Sequence, residues 1–554
     1  MLLVLLTQPL LFAQKKPKSL TEEQHIIHVL NRLGFGARPG DVERVKAMGV
    51  EKYIEQQLNP EKITDTVAEN KVSELSILSM STAELYEKYP QPGQLLRQLQ
   101  ARGMLPAEMS ADDAQKNNQN ANPLENEKYR KVIQEYYRDN GLQRPQRIID
   151  ELQASRILRA VYSERQLQEV MVDFWTNHFN IFANKGADRW LLPAYDRDTI
   201  RPNAMGKFLT LLQATAQSPA MLFYLDNFQS VSPNANQRRG PLQQLRPQQP
   251  QQQRRGINEN YARELMELHT LGVDGGYMQK DVQEVARCFT GWTIFQPRGG
   301  AAAVNAMMGE AGRRNAGTFF FNARVHDDGE KTVLGQKIPA GGGMKDGLMV
   351  LDILAHHPST AKFIATKLVR HFVSDTPPPS LVDRVAAAFT KSDGDIRETL
   401  RAIFFSKEFN STEAYRVKIK RPFELVVSAI RTLGADTNGG PGTHQWIARM
   451  GEPLYGFQTP NGYSDAAESW VNTGGLLERM NFGLALASNR VQGTKVSLAK
   501  KGEQAKVMDE YLKTLLAGDI SASTREALLK QLEPSDPVTK VVGLILGTPE
   551  FQRQ

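Results

Sequence analysis

Residues 163–182 read SERQLQEVMVDFWTNHFNIF, and the period of that stretch decides the fold. Its opening, SERQ, fits a capping box in which Ser163 and Gln166 satisfy the first free amides of a helix. Beyond it, Met171, Phe174, His178, Ile181 and Phe182 share one stripe at helical spacing, with Trp175 at its edge. Asp173 and Asn177 lie together on the adjoining side. Nothing in the stretch alternates as a strand would.

Working outward, the same period recurs. DVERVKAMGVEKYIEQQL (41–58) starts from an Asp41 N-cap and carries apolar residues at helical spacing. The pattern predicts further helices at 344–356, 358–373, 379–390, 394–404, 420–433, 475–487, 503–516, 522–531 and 537–546. Strand alternation is scarce. TFFFNARVHDDGEKTVLGQKI (318–338) is the one clear case, with Asp328-Gly329 as its tight turn. The class is therefore mainly α: a large multi-helix globular fold with a small β hairpin near 318–338. AIFFSKEFN (402–410) and LILGTPEFQ (544–552) echo each other and predict two similar helical corners.

At 554 residues, 40% hydrophobic and 23% charged, the composition is that of a globular chain. The formal net charge is +7. Arg238, Arg239, Arg246, Arg254 and Arg255, with no acid among them, supply most of that excess from a Gln/Arg/Pro-rich stretch. A nucleic-acid footprint needs a basic face on a folded element, so nucleic acid is excluded as a partner. Three inserts, 106–124, 229–256 and 297–316, hold too little apolar content to pack. The apolar run Leu2–Phe12, ending at Ala13, is too short to span a bilayer and reads as a signal peptide over 1–14. The expected product is a periplasmic or secreted protein, one large helical domain over 19–554 with no integral membrane span. The single cysteine, Cys288, sits at helical spacing with Val285 and Trp292 and reads as a buried structural thiol.

The chemistry-bearing residues fall in four places. In NENYARELMELHTLGVDGGY (258–277), Asn258 or Asn260 suits the N-cap, Glu259 the first turn, Gly272 the C′ position and Glu267 a solvated face. Glu264 lies at the edge of the stripe made by Tyr261, Leu265 and Leu268, and His269 flanks the same face. A carboxylate there must find a partner or take a raised pKa. His178 within its own stripe reads either as a hydrogen-bonded core residue or as a ligand or base. His326 and Asp327, at the mouth of the hairpin, read as turn residues or as weaker metal ligands. GEPLYGFQTPNGYSDAAESWVNTGGLLERM (451–480) gathers Tyr455, Phe457, Tyr463 and Trp470, which either line a groove or plug the end of a helical core.

HVLNRLGFGARPGDVERV, DFWTNHFNI, NENYARELMELHTLGVDGGY, CFTGWT, HDDGEKTVLG and PLYGFQTPNGY, in that order, resemble the bacterial domain-of-unknown-function family numbered 1800 (DUF1800) across nearly the whole mature chain. The Gln/Arg-rich insert departs from the compact form of that family and reads as a lineage-specific loop. The resemblance implies an exported, largely helical protein, often encoded beside another exported family, numbered 1501, which is the partner it suggests. It brings no established reaction. Two expectations follow. In the first, a hydrolase-like enzyme brings the catalytic candidates Glu264, His269 and His178 into one pocket. There they serve as acid–base groups or as ligands of a divalent metal, the candidate cofactor. In the second, a non-catalytic exported scaffold uses the same residues as a buried polar network.

Overall fold

A computed structural model describes residues 19–101, 103, 127–234, 256–295, 314–498, 504–533 and 535–554. The apolar leader, insert 106–124 and most of inserts 229–256 and 297–316 lie outside the described residues. Helices form where the period predicts them, at Met344–Ala355, Pro358–Phe372, Pro379–Lys391, Ile396–Phe404 and Pro422–Thr432. Thr473–Ala487, Gln504–Leu516, Ala522–Gln531 and Val538–Leu546 follow. Their starts are set by residues that complete the first turn. Proline occupies it at 358, 379 and 422. The Asp395, Asn472 and Ser521 side chains each accept an early backbone N–H.

The opening helix runs Gln166–His178, and its start departs from the capping box. Ser163 Oγ instead donates to Asp65 Oδ2 at 2.7 Å and accepts from the Arg165 amide at 2.9 Å. The Gln166 side chain accepts from Phe35 N at 3.1 Å and donates to Ala160 O and Ser163 O. Both side chains stitch the helix start to other segments, an outcome that local spacing does not encode. Leu167, Met171, Val172, Trp175, Asp173 and His178 are all buried, so the helix is enclosed on every side.

Three two-stranded antiparallel sheets occur among the described residues. The hairpin lies within the expected region but turns elsewhere. Lys331–Val333 pairs with Gln336–Ile338 around Leu334 and Gly335, at φ 48° and 77°, the left-handed pair that a tight hairpin needs. Thr318–Phe321 pairs instead with Trp292–Phe295, where Trp292 and Phe319 meet edge to face with ring centroids 5.3 Å apart. Asp328-Gly329 is no hairpin turn; the Gly329 amide donates to Asp327 Oδ1 at 3.0 Å.

The buried apolar residues form one contiguous core from Ile26 to Phe551 and a small satellite of Leu95, Leu96, Leu99, Ile133 and Tyr137. Cys288 is buried within the main core, and burial pushes its thiol up to about 12. The two echoed corners are alike in detail. Ser406 Oγ accepts from Phe409 N at 3.1 Å, and Thr548 Oγ1 accepts from Phe551 N at 3.4 Å. No described helix is long and apolar enough to cross a membrane.

The Thr473–Ala487 and Val538–Leu546 helices approach closely through glycine. A Cβ on Gly543 would lie 2.6 Å from Leu484 Cδ2 and 2.9 Å from Leu484 Cα. Gly543→Ala is therefore expected to cost about 1–3 kcal/mol by overpacking, read as a lower urea midpoint at unchanged m-value. An unchanged midpoint would contradict the close packing.

Candidate functional site

The sequence DFWTNHFN (173–180) closes the central helix, and nearly every polar side chain in it has a separate task. Its apolar members pack inward. Phe174, Trp175 and Phe179 are buried, and Trp175 Nε1 donates to Ala204 O at 3.0 Å. His178, 2% exposed, is surrounded by rings: Phe179 at 4.5 Å, Trp175 at 5.4 Å and Phe363 at 6.2 Å between centroids. His178 Nε2 lies 3.1 Å from the backbone oxygen of His269. A carbonyl only accepts, so Nε2 carries the hydrogen and Nδ1 is bare. Nδ1 is buried with no partner among the described residues. Burial first, then the charges of Lys367 and His269, hold this imidazole well below its ordinary pKa, so it is neutral.

His269 stands on a short π-helical segment, Glu267–Leu271, that continues the Glu259–Met266 helix. The wider turn loosens the usual backbone ladder, and the Thr270 hydroxyl donates to the Leu265 carbonyl at 2.7 Å. His269 is also 2% exposed, and its Nε2 is buried without a partner. Burial, then Lys367, lowers its pKa to about 3. Glu264 on the same helix is half-buried; burial and the neighbouring Glu267 raise its pKa, with Arg263 opposing. No hydrogen bond joins Glu264 to either histidine among the described residues. The structure thus brings His178 and His269 into contact and leaves Glu264 outside that contact.

The punctuation of this segment follows the sequence. Asn258 caps the helix by accepting from Tyr261 N at 3.2 Å, and Gly272 takes φ 81°. Glu267 accepts from the Tyr277 hydroxyl at 2.8 Å, and Glu259 from Gln279 Nε2 at 2.7 Å.

His326 and Asp327 belong to a different set of contacts. His326 Nδ1 lies 2.7 Å from Thr290 O, and its Nε2 3.2 Å from Asp346 Oδ2, which also receives Lys331 Nζ at 2.5 Å. His326, Lys331 and Asp346 are all buried. Asp327 takes the Arg287 guanidinium at 3.1 Å on each carboxylate oxygen. Burial alone would raise its pKa, but the bonds from Arg287 and the Gly329 amide hold it below the ordinary value. Among the described residues, no three His, Cys, Asp or Glu side chains are grouped to hold a metal ion. The donor set expected for a divalent metal is therefore not assembled.

Sequence reasoning missed the polar network beside these histidines. Asp173 is buried between two arginines, pairing Arg156 through Oδ1 and Arg421 through Oδ2. Arg421 Nη1 reaches Glu452 Oε1 at 2.8 Å, and the second Glu452 oxygen accepts from Phe423 N at 2.8 Å. Burial pushes Glu452 up to about 7 against the pull of Arg421. On the other side, Arg156 Nη1 is 3.4 Å from the Tyr455 hydroxyl, which donates to Asp196 Oδ1 at 3.3 Å. Arg201 then joins Asp196, at 3.6 Å, to Glu169, at 2.7 Å. Tyr455 adopts φ 59°, a left-handed conformation costly for an aromatic residue.

The same segment clamps the aromatic loop. The Asn177 amide donates to Tyr463 O at 2.8 Å and accepts from Tyr463 N at 2.7 Å. Asn180 Nδ2 donates to Phe457 O at 3.1 Å and Thr459 O at 2.8 Å, and the Ala183 amide donates to Tyr455 O at 3.0 Å. Gly462 has φ 70°, and a Cβ there would lie 2.3 Å from Asn177 O. Tyr455 and Trp470 are buried, while Phe457 and Tyr463 are half-buried with ring centroids 4.6 Å apart. These aromatics plug the end of the core.

A family model described as "Protein of unknown function (DUF1800)" matches residues 28–553. No curated protein and no solved structure matches the chain.

Asp173→Asn should cost about 3–5 kcal/mol, because two buried guanidiniums would lose their shared counter-charge. Urea unfolding reads this directly, and a cost under about 1 kcal/mol would show that the pairing is dispensable. The buried imidazoles set a pH dependence. Between about pH 6.5 and about 3 the unfolded chain protonates His269 while the folded chain does not, so stability falls as pH falls through 6.5. Wild type should lose on the order of 1–2 kcal/mol more than His269→Gln between pH 7 and pH 5. Parallel losses would contradict a neutral buried ring.

Proposed function

The chain belongs to the DUF1800 family, and from that premise we propose that it is an exported binding scaffold whose docking face is the helix following the clamped aromatic loop. The observation that carries this reading is an exposed apolar face on Thr473–Ala487. Leu476, Leu477 and Met480 are 41%, 58% and 46% exposed, and Val471 just before them is 46% exposed. At helical spacing the three helix residues share an arc of about 100°. Neighbouring exposed apolar side chains of this kind are one source of partner surface. One to two turns further along the same side, Gly483 and Leu484 pack on Val538–Leu546, so the face is held in a fixed orientation.

Support also comes from what the central residues do. His178, Asp173, Asn177 and Asn180 are all engaged in holding other segments, and His178 and His269 are buried. A hydrolase centre there would need a path for substrate and water. Glu264 favours the enzymatic reading, because a half-buried carboxyl of raised pKa suits acid–base work. Export through the 1–14 leader to the periplasm or exterior is part of the proposal and rests on the sequence. The proposed partner is the co-encoded exported protein of the family numbered 1501.

The test mixes the purified chain with that partner. Wild type should co-elute with it on gel filtration. Leu477→Glu with Met480→Glu should weaken binding at least about tenfold at an unchanged unfolding midpoint. Glu264→Gln should leave binding intact. Equal binding by the Leu477/Met480 double variant would overturn the docking face. Loss of a measured hydrolytic activity in a folded Glu264→Gln variant would favour the enzyme.

A further inference from the structure

Away from the docking face, a cleft of about 300 Å³ opens where the 37–40 loop, the Pro422–Thr432 helix, the end of Gln504–Leu516 and the C-terminal segment meet. Lys420 lies on its wall, 4% exposed, with Nζ 2.9 Å from Ser428 Oγ and 4.3 Å from the Phe551 ring centroid. Ser428 and Phe551 line the same cleft. No carboxylate comes within ion-pair distance of Lys420 among the described residues. A buried ammonium without a counter-ion is costly, so the group is driven toward the free amine. Burial first, then Arg416, lowers Lys420 to about 7, with Glu424 opposing and Arg479 reinforcing.

The surroundings are rich in cations whose hydrogen bonds go mainly to neutral acceptors. Arg416 also lines the cleft; its Nη atoms bond the Leu516 and Asp519 carbonyls, with the Asp519 carboxylate at 3.4 Å, and its Nε is buried without a partner. Arg479, 2% exposed, bonds Gln552 Oε1 and Lys420 O, and its Nε also lacks a partner. Lys513 and Arg553 are exposed on the lining, as are Glu23 and Glu43. Glu550, a further lining acid, accepts from Ser521 N and Thr524 Oγ1 through Oε1, and its Oε2 is buried without a partner. Gly36 preserves space over the pair, since a Cβ there would lie 2.8 Å from Ser428 Oγ.

We propose that this cleft is a covalent ligand site for a small oxo acid, its carbonyl captured by the Lys420 amine as an imine and its carboxylate held against Arg416 and Lys513. The nitrogen lone pair forms a bond to the carbonyl carbon, and the C–O π bond opens. Ser428 relays a proton from nitrogen to that oxygen, giving a carbinolamine. Loss of the hydroxyl with a second nitrogen proton releases water and leaves C=N. Amine and carbonyl become imine and water, with no oxidation or reduction.

The test treats the full chain with glyoxylate and cyanoborohydride near neutral pH, which reduces any imine to a stable amine, and maps the adducts by peptide mass spectrometry. Lys420 should be modified at least about tenfold more than exposed Lys513, because burial beside the cleft holds Lys420 toward the free amine. Glycolaldehyde, which has the carbonyl but no carboxylate, should show at least about tenfold less preference for Lys420 over Lys513. Ser428→Ala should slow the Lys420 adduct without abolishing it, a readout on a chain whose unfolding midpoint is checked in parallel. Lys420 labelling no greater than that of Lys513 would overturn the covalent site. Equal preference with glycolaldehyde would overturn recognition of an acid.

Discussion

Everything near the centre of this protein depends on Asp173, one carboxylate shared by Arg156 and Arg421 inside the core. Taking three charges out of water is costly, and their attraction offsets that cost only when the remaining hydrogen-bonding atoms are also engaged. Glu452 and the Tyr455 hydroxyl supply part of that engagement, while Arg421 Nε is buried without a hydrogen bond, 3.7 Å from Glu424 Oε1. They draw together helices at 146–162, 166–178 and 422–432 with the loop that follows residue 451. Such a network fixes geometry more than it adds stability, because a well-packed apolar core could match its energy but not its directionality. The strained Tyr455 backbone is kept in place by the same set of bonds.

That rigidity gives the histidines their character. His178 and His269 sit against one another within aromatic walls, each neutral and each with one ring nitrogen unbonded. They resemble catalytic groups in type and in proximity, yet they are shielded on all sides. The amine of Lys420 presents the reverse case. It is equally buried, but it borders a cleft large enough for a small molecule, and its one hydrogen-bond partner among the described residues is a hydroxyl. Exposure to a ligand separates the two sites more sharply than the kinds of residues they contain.

The helices were legible because each needs only a local period and a capping residue. The 379–391 and 396–404 segments carry both, 504–516 carries the period, and the structure follows all three within a residue or two. The sheet pairing was less legible. Phe319 and Phe321 signal a strand, but their partner at 292–295 lies across an insert that no local rule spans. His178 and His269 were marked by their place on apolar stripes, and that signal does bring them together. Asp173 was visible only as a polar residue beside Asn177, since Arg156, Arg421 and Glu452 come from distant segments and read singly as solvated charges. Lys420 and Ser428, eight residues apart, form no recognisable motif; the turn into the 422–432 helix makes them neighbours.

The buried network and the 173–180 segment hold the 454–463 loop as firmly as the core. Native-state hydrogen exchange measures this most directly. The Tyr463 amide, bonded to the Asn177 side chain, and the Ala183 amide, bonded to Tyr455 O, should exchange with protection close to that of amides within Gln166–His178. Exchange of both at the rate of an unprotected surface loop, while the helix stays protected, would contradict the account.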